Sequence, residues 1–336
     1  MTIFEERSNM KYLIILVVFL SACSTWEHVS LDQYVEKSNC YREQVYTYNV
    51  EELPAPLHTL QIDSLLKKHL AFNSINIAHA FGFLGPIENY ITLYEKTTKQ
   101  EDIGLNEQIQ LLQLRQQINQ SISLASIEVS AIASEMDCEE ERADQIASYL
   151  SRKEGATEKK LTVGAIISGA IGTIAAAFIV LNDPDDNRVE YVGIGTGLTE
   201  VILGTLLLTN RRKVYISHER NALRDLWEGQ SVSSIYPPPI WYYLNYFNPN
   251  DETSISRRNQ ILEKWMKFGQ ITESSQKKKE ALIDLYFKSG GYYSSQQLEN
   301  RANMHDQVES QINLMKQDLK SLALELDMFE SNTKKQ

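Results

Sequence analysis

The sequence predicts an all-α fold, a long-helix bundle with a glycine-rich apolar helical hairpin. Three observations point there. All eight prolines lie at 54, 56, 86, 184, 237, 238, 239 and 249, which leaves 87 to 183 and 250 to 336 free of helix-breaking rings. Apolar residues recur at helical spacing within both stretches. Strand-like alternation bounded by turn dipeptides is scarce. The 336 residues are 43% hydrophobic and 23% charged, ordinary for globular chains, so disorder is excluded as the main character. Lys+Arg of 33 against Asp+Glu of 44 leaves −11 with no basic tail, which argues against a nucleic-acid partner.

The chain begins with an address. Lys11 precedes the apolar run Tyr12 to Leu20, and Ser21-Ala22-Cys23 follow it. A basic residue, about nine apolar residues and then small ones make a secretory signal; a spanning helix needs about 20. Met10-Lys11 would itself be a normal start for such a signal. Leu20-Ser21-Ala22-Cys23 closely resembles the lipobox of bacterial lipoproteins. The resemblance implies that 1–22 is a signal peptide and that Cys23 is acylated and holds the chain to membrane lipid in the cell envelope. Ser24 after the cysteine, rather than Asp, resembles an outer-membrane sorting signal, which implies a location at the outer membrane facing the periplasm. Two or more acyl chains suffice for stable anchoring, since each buried methylene adds roughly 0.8 kcal/mol.

With Cys23 assigned to lipid, Cys40 and Cys138 remain in an oxidising compartment. A disulfide between them would close a loop of about 100 residues, worth up to roughly 4 to 5 kcal/mol in the chain-entropy model. The alternative is two independent thiols.

Six segments follow in order. Residues 1–22 are the signal, and 23–56 a lipidated tether bearing Tyr34, Tyr41, Tyr46 and Tyr48 and ending in Leu53-Pro54-Ala55-Pro56. Residues 57–160 are helical: about 57 to 83, a break at Gly85-Pro86, about 87 to 98, and one long amphipathic helix over 106 to 152. Its stripe is Leu111, Leu114, Ile118, Ala125, Val129, Ile132 and Met136. Residues 161–209 form the hairpin. Residues 210–250 hold a helix and a Pro/aromatic loop, and 251–336 the C-terminal helices. There Val308, Ile312, Met315, Leu319, Leu322, Leu326 and Phe329 make a heptad seam, and Ser294 with Gln297 a capping box. The seam is expected to pack back on the 106 to 152 helix, with an intermolecular coiled coil as the other reading.

Seven of the fifteen glycines fall between 164 and 204. Leu161 to Leu181 carries no charge over a length that spans hydrocarbon, and Tyr191 to Thr209 is apolar apart from threonines and Glu200. Gly164, Ser168, Gly172 and Ala176 lie four apart, as do Ala165, Gly169, Thr173 and Ala177; Gly193 and Gly197 repeat the spacing. Such small-xxx-small surfaces let helix backbones approach closely, so Gly164, Ser168, Gly169, Gly172, Ala176, Gly193 and Gly197 are expected in the hairpin's packing. Lys159, Lys160, Arg211, Arg212 and Lys213 flank the hairpin and acidic residues fill its turn. The positive-inside rule would place those flanks in the cytoplasm, whereas a secretory signal places them outside. Three readings follow: an inner-membrane hairpin against the charge rule, a hairpin buried in the bundle, or one whose tip enters another bilayer. Glu200 in mid-segment would cost about 2.5 to 3.5 kcal/mol on insertion.

Catalytic chemistry has no motif. His28, His58, His69, His79, His218 and His305 form no HExxH pair and no cysteine–histidine metal spacing. Gly193-Ile-Gly-Thr-Gly197 lacks the full dinucleotide fingerprint and the Lys-Ser/Thr of a P-loop. No catalytic residue, cofactor or metal is therefore expected. Tyr236, Trp241, Tyr242, Tyr243 and Tyr246, beside three prolines, are read either as an internal strap or as a partner surface. The expected function is that of a non-enzymatic, lipid-anchored envelope protein, a helical scaffold or interaction module whose hairpin associates with membrane and which has another envelope protein as a further partner. The alternative is a membrane-inserting protein that loosely resembles α-helical pore-forming toxins of the cytolysin type in architecture.

Overall fold

A computed structural model describes residues 38–41, 50–99, 103–182, 187–251 and 253–333. The signal, Cys23 and the first part of the tether lie outside the described residues. After two short 3-10 turns at Val50–Glu52 and Leu57–Thr59 come α1 (Ser64–His69), α2 (Phe72–Ala80) and α3 (Leu84–Thr97). Then follow the 78-residue α4 (Leu105–Asn182) and α5 (Arg188–Thr209). A short strand β1 (Lys213–Ser217), α6 (Ala222–Glu228), α7 (Pro238–Asn245), α8 (Arg257–Lys267) and α9 (Gln276–Phe287) lead to β2 (Gly290–Ser294) and the 39-residue α10 (Ser295–Thr333). The fold is all-α, with one two-stranded antiparallel ribbon.

The core is the pairing of α10 with the first two-thirds of α4. All seven residues of the heptad seam, from Val308 to Phe329, are buried. They face Ile118, Ala125, Val129, Ile132 and Met136 of α4, also buried, so the seam is intramolecular. The capping box at the start of α10 forms in both directions: Gln297 N donates to Ser294 Oγ at 3.4 Å and Ser294 N to Gln297 Oε1 at 2.9 Å. Cys40 and Cys138 stand at disulfide-bonding distance, Cα–Cα 5.4 Å, which pins residues 38–41 to the middle of α4. Ser38 also hydrogen-bonds Glu139, one residue further on.

Four expectations change. The stretch expected as one helix over 57 to 83 is a 3-10 turn and two helices, and Gly85-Pro86 lies in the first turn of α3 instead of breaking the chain, because proline there forfeits only an N–H that has no intrahelical partner. The helix expected to stop near 152 continues to Asn182. One glycine, Gly155, costs only about 1 kcal/mol, and the lysines and glutamates around it are good helix formers. The expected Pro/aromatic loop is helix α7, with prolines at its first positions. Lys213-Val-Tyr-Ile-Ser217, within a segment expected to hold only a helix and that loop, is a strand with alternating burial. Gly290 allows its pairing: φ is +90° and a Cβ there would sit 2.1 Å from the Ile216 carbonyl oxygen.

Candidate membrane interface

Beyond Glu154 the α4 helix leaves the bundle. In its last 28 residues only Gly172 is buried, and α5 buries nothing. The reading in which the hairpin is buried inside the bundle is thereby overturned. The two arms pack on each other along a narrow seam. Leu161, Gly164, Ala165, Ser168, Gly169, Gly172, Ala175, Ala176 and Ile179 are the sheltered positions of α4; Val189, Val192, Thr196, Thr199, Leu203 and Leu207 are those of α5. Gly172 is the closest approach, where a Cβ would lie 2.1 Å from Thr196 Cγ2. Gly169 faces the Glu200 carboxylate and Gly164 faces Leu203.

Gly193 and Gly197 do not belong to this seam, contrary to expectation. A Cβ on either would meet nothing within 4 Å, because the α5 face turned to α4 is the Val192–Thr196–Thr199–Leu203 face. Spacing alone finds a small-residue face but not the side on which the partner helix stands.

Most of the large apolar side chains stand outside the seam. Ile166, Ile171, Ile174 and Phe178 of α4 are 62 to 70% exposed, and Ile194, Leu198, Val201 and Leu208 of α5 are 61 to 78% exposed. A small-residue face on α4 toward α5, with large apolar side chains exposed on both arms, departs from the order of a water-soluble protein and matches helices packed in lipid. Five threonine hydroxyls are satisfied within the helices: Thr173, Thr196, Thr199, Thr205 and Thr209 each donate to the carbonyl four residues back at 2.8 to 3.0 Å. Each arm has 22 residues from Leu161 or Arg188, about 33 Å, close to the roughly 30 Å of a hydrocarbon core. At the root, Glu154 Oε1 accepts from Arg212 N at 2.7 Å and Asn210 Nδ2 donates to the Glu154 carbonyl, which closes the hairpin against the bundle.

The Pro/aromatic segment is an internal strap. Tyr236, Trp241, Tyr242 and Tyr243 are buried and Tyr246 half-buried, so their reading as a partner surface is withdrawn. Tyr242 OH donates to Asn76 Oδ1 at 2.9 Å and accepts from Leu57 N, while Tyr243 OH donates to Asp318 at 2.5 Å under the Arg257 guanidinium. Trp241 Nε1 donates to the Gln230 carbonyl. Asp225, fully buried, accepts from Ser233 and Ser234 and shapes the turn that feeds α7.

A buried polar cluster under the ribbon gave no sequence signal. Arg301, 4% exposed, donates to the Tyr286 carbonyl and to Asn221 Oδ1. Tyr293 OH donates to the Leu285 carbonyl at 2.6 Å, so His218 Nε2 carries a proton toward it at 2.7 Å. His305 is 1% exposed with neither ring nitrogen hydrogen-bonded. Burial, and then the nearby Arg301 charge, hold both histidines far below the usual imidazole range, and burial lifts the Tyr293 phenol to about 12. The adjoining pocket, lined by Glu139, Arg142, His218 and Arg301 among others, holds about 10 Å³, the space of one water. No group of three metal-ligating side chains occurs among the described residues. A wider cleft of about 480 Å³ opens between Phe72, Asn76, Tyr246, Asn248, Arg257 and Asp318.

Comparison with family models, curated proteins and solved structures finds no match to the chain.

Proposed function

We propose that the chain is a non-enzymatic, lipid-anchored protein of the bacterial cell envelope whose helical bundle carries a membrane-inserting hairpin. The observation that supports insertion is the exposure of 161–209: glycine, alanine and serine make up most of the α4 side of the seam, while isoleucine, leucine and phenylalanine stand exposed along two bilayer-length arms. The anchor at Cys23 rests on the lipobox-like Leu20-Ser21-Ala22-Cys23, and the outer-membrane location on Ser24. Another envelope protein is its proposed partner.

Vesicle flotation of residues 24–336, which lack the acyl anchor and keep the whole described body, tests insertion. Co-flotation that disappears when 161–209 is deleted is the expected result; binding that survives the deletion, or none at all, overturns it. Dye release in the same experiment would favour the second reading, a pore-forming type of protein, to which the unbroken passage of α4 from bundle into hairpin lends support.

A further inference from the structure

The root of the hairpin carries a charge opposite to that of the whole chain. The protein is net −11. Yet the two segments that meet where the apolar arms begin, 152–160 and 210–213, hold Arg152, Lys153, Lys159, Lys160, Arg211, Arg212 and Lys213 against two carboxylates, Glu154 and Glu158. Glu154 is turned inward, 7% exposed, to receive the Arg212 amide. Lys159, Lys160, Arg211, Arg212 and Lys213 are exposed and form no ion pair with any described residue. Elsewhere arginines of this protein are engaged, as Arg115 is by Asp327 and Glu330, Arg220 by Glu135 and Arg257 by Asp318. Pairing of α4 with α5 through Asn210 and Glu154 places the cations of both segments in one band, about two helical turns deep, bordering the apolar surface.

We propose that this band is a cationic collar that binds anionic phospholipid headgroups, so that the hairpin enters acidic bilayers from the collar side. The inference rests on the membrane-inserting reading of the hairpin. Two features select a lipid surface over other anions. The cations stand exposed on the root and line neither of the two cavities, so they can face a surface, and they are continuous with exposed isoleucines and leucines suited to hydrocarbon in the next layer. A lysine or arginine near an acidic membrane surface contributes about a fivefold gain in partitioning. Four of them are therefore enough to decide which membrane is entered.

The experiment measures partitioning of residues 24–336 onto phosphatidylcholine vesicles and onto vesicles with about a third phosphatidylglycerol, at low and high salt. The unmodified chain is expected to prefer the acidic vesicles, and to lose that preference as salt rises. The variant K159Q/K160Q/R211Q/R212Q is expected to bind acidic vesicles at least about tenfold more weakly while binding neutral vesicles as before. The charge-conserving variant K159R/K160R/R211K/R212K retains the preference, which separates charge from any effect on folding. A quadruple glutamine variant that still prefers acidic vesicles overturns the collar and leaves the hairpin reading intact. Selective displacement by inorganic phosphate, at ionic strength matched with chloride, would make the band a small-anion site and also overturns the collar. An unmodified chain that floats with neither vesicle defeats the hairpin reading itself.

Discussion

Burying His305 with both ring nitrogens unpartnered costs the bundle on the order of 1–3 kcal/mol per group. The cost rises in acid. The folded-state pKa values of His218 and His305 lie below the unfolded value of 6.5, so below that pH the unfolded chain binds protons that the folded one refuses. Stability is expected to be flat above about pH 7 and to fall between about pH 6.5 and 5 by roughly 1.4 kcal/mol per pH unit for each histidine. Urea denaturation across that range measures the slope, and His305→Leu should halve it while raising stability at neutral pH. An unaltered slope in that variant would assign the protons elsewhere. The Glu135–Arg220 pair, by contrast, has its partners: two hydrogen bonds of 2.7 and 3.1 Å satisfy both nearly buried charges. Arg220→Ala should cost about 3–5 kcal/mol by leaving Glu135 unpaired, and replacing both partners by apolar residues should recover most of the loss. Neither group was legible in the sequence. A histidine at a helical position reads the same whether it faces water or Arg301, and an ion pair 85 residues apart leaves no local pattern.

For whole elements, period carried the reading where burial is one-sided. The α10 seam and its capping box follow from spacing alone, since a residue every three or four positions must face one neighbour. Two kinds of element escaped. The α7 helix reads as a loop because three consecutive prolines look like a break, although proline at the first helical positions initiates a helix. β1 is five residues long, and its apolar alternation, Val214 and Ile216, gives too short a signal to stand out against helices. In the hairpin, the spacing of glycines found both arms yet gave the wrong face for α5. The structure makes a discriminating prediction. Gly172→Leu should force the arms apart and abolish vesicle insertion, whereas Gly193→Leu and Gly197→Leu should leave it unaffected, because only the first glycine touches the opposite arm. Equal loss from all three would refute the seam. Reduction of the Cys40–Cys138 link is expected to lower stability by up to roughly 4 to 5 kcal/mol in the chain-entropy model, read from denaturant midpoints with and without reductant. Two titratable thiols in the untreated protein would show that the link does not form.

In the body from Ser38 onward, bundle and hairpin have opposite patterns of exposure. The bundle buries its own apolar surface, and α5 contributes nothing to that core. Joining Lys160 to Asn210 through a short flexible linker should therefore leave the melting temperature within a few degrees, on the scale at which 1 kcal/mol shifts a domain of this size by about 2–4 °C. A collapse of the bundle in that variant would mean the hairpin is part of the fold. Fold class was legible at this scale because prolines, helical periodicity and the lack of strand patterns agree. The hairpin's exposure was not, since an apolar stretch of 21 residues suits both a core and a bilayer until its neighbours are known.

The single rod of α4 has a geometric consequence of its own. It runs from Leu105 into the apolar arm as one uninterrupted helix with no proline between. If Leu161 marks the lipid boundary, the far end stands about 80 Å away along the rod. Tilting such a boom by about 20°, an average inclination for membrane helices, carries its tip sideways by roughly 27 Å while lowering it by only about 5 Å. On the proposed membrane-inserting reading, the ends of α3 and α10 that meet α4 near its start would then sweep a disc parallel to the membrane at nearly constant altitude.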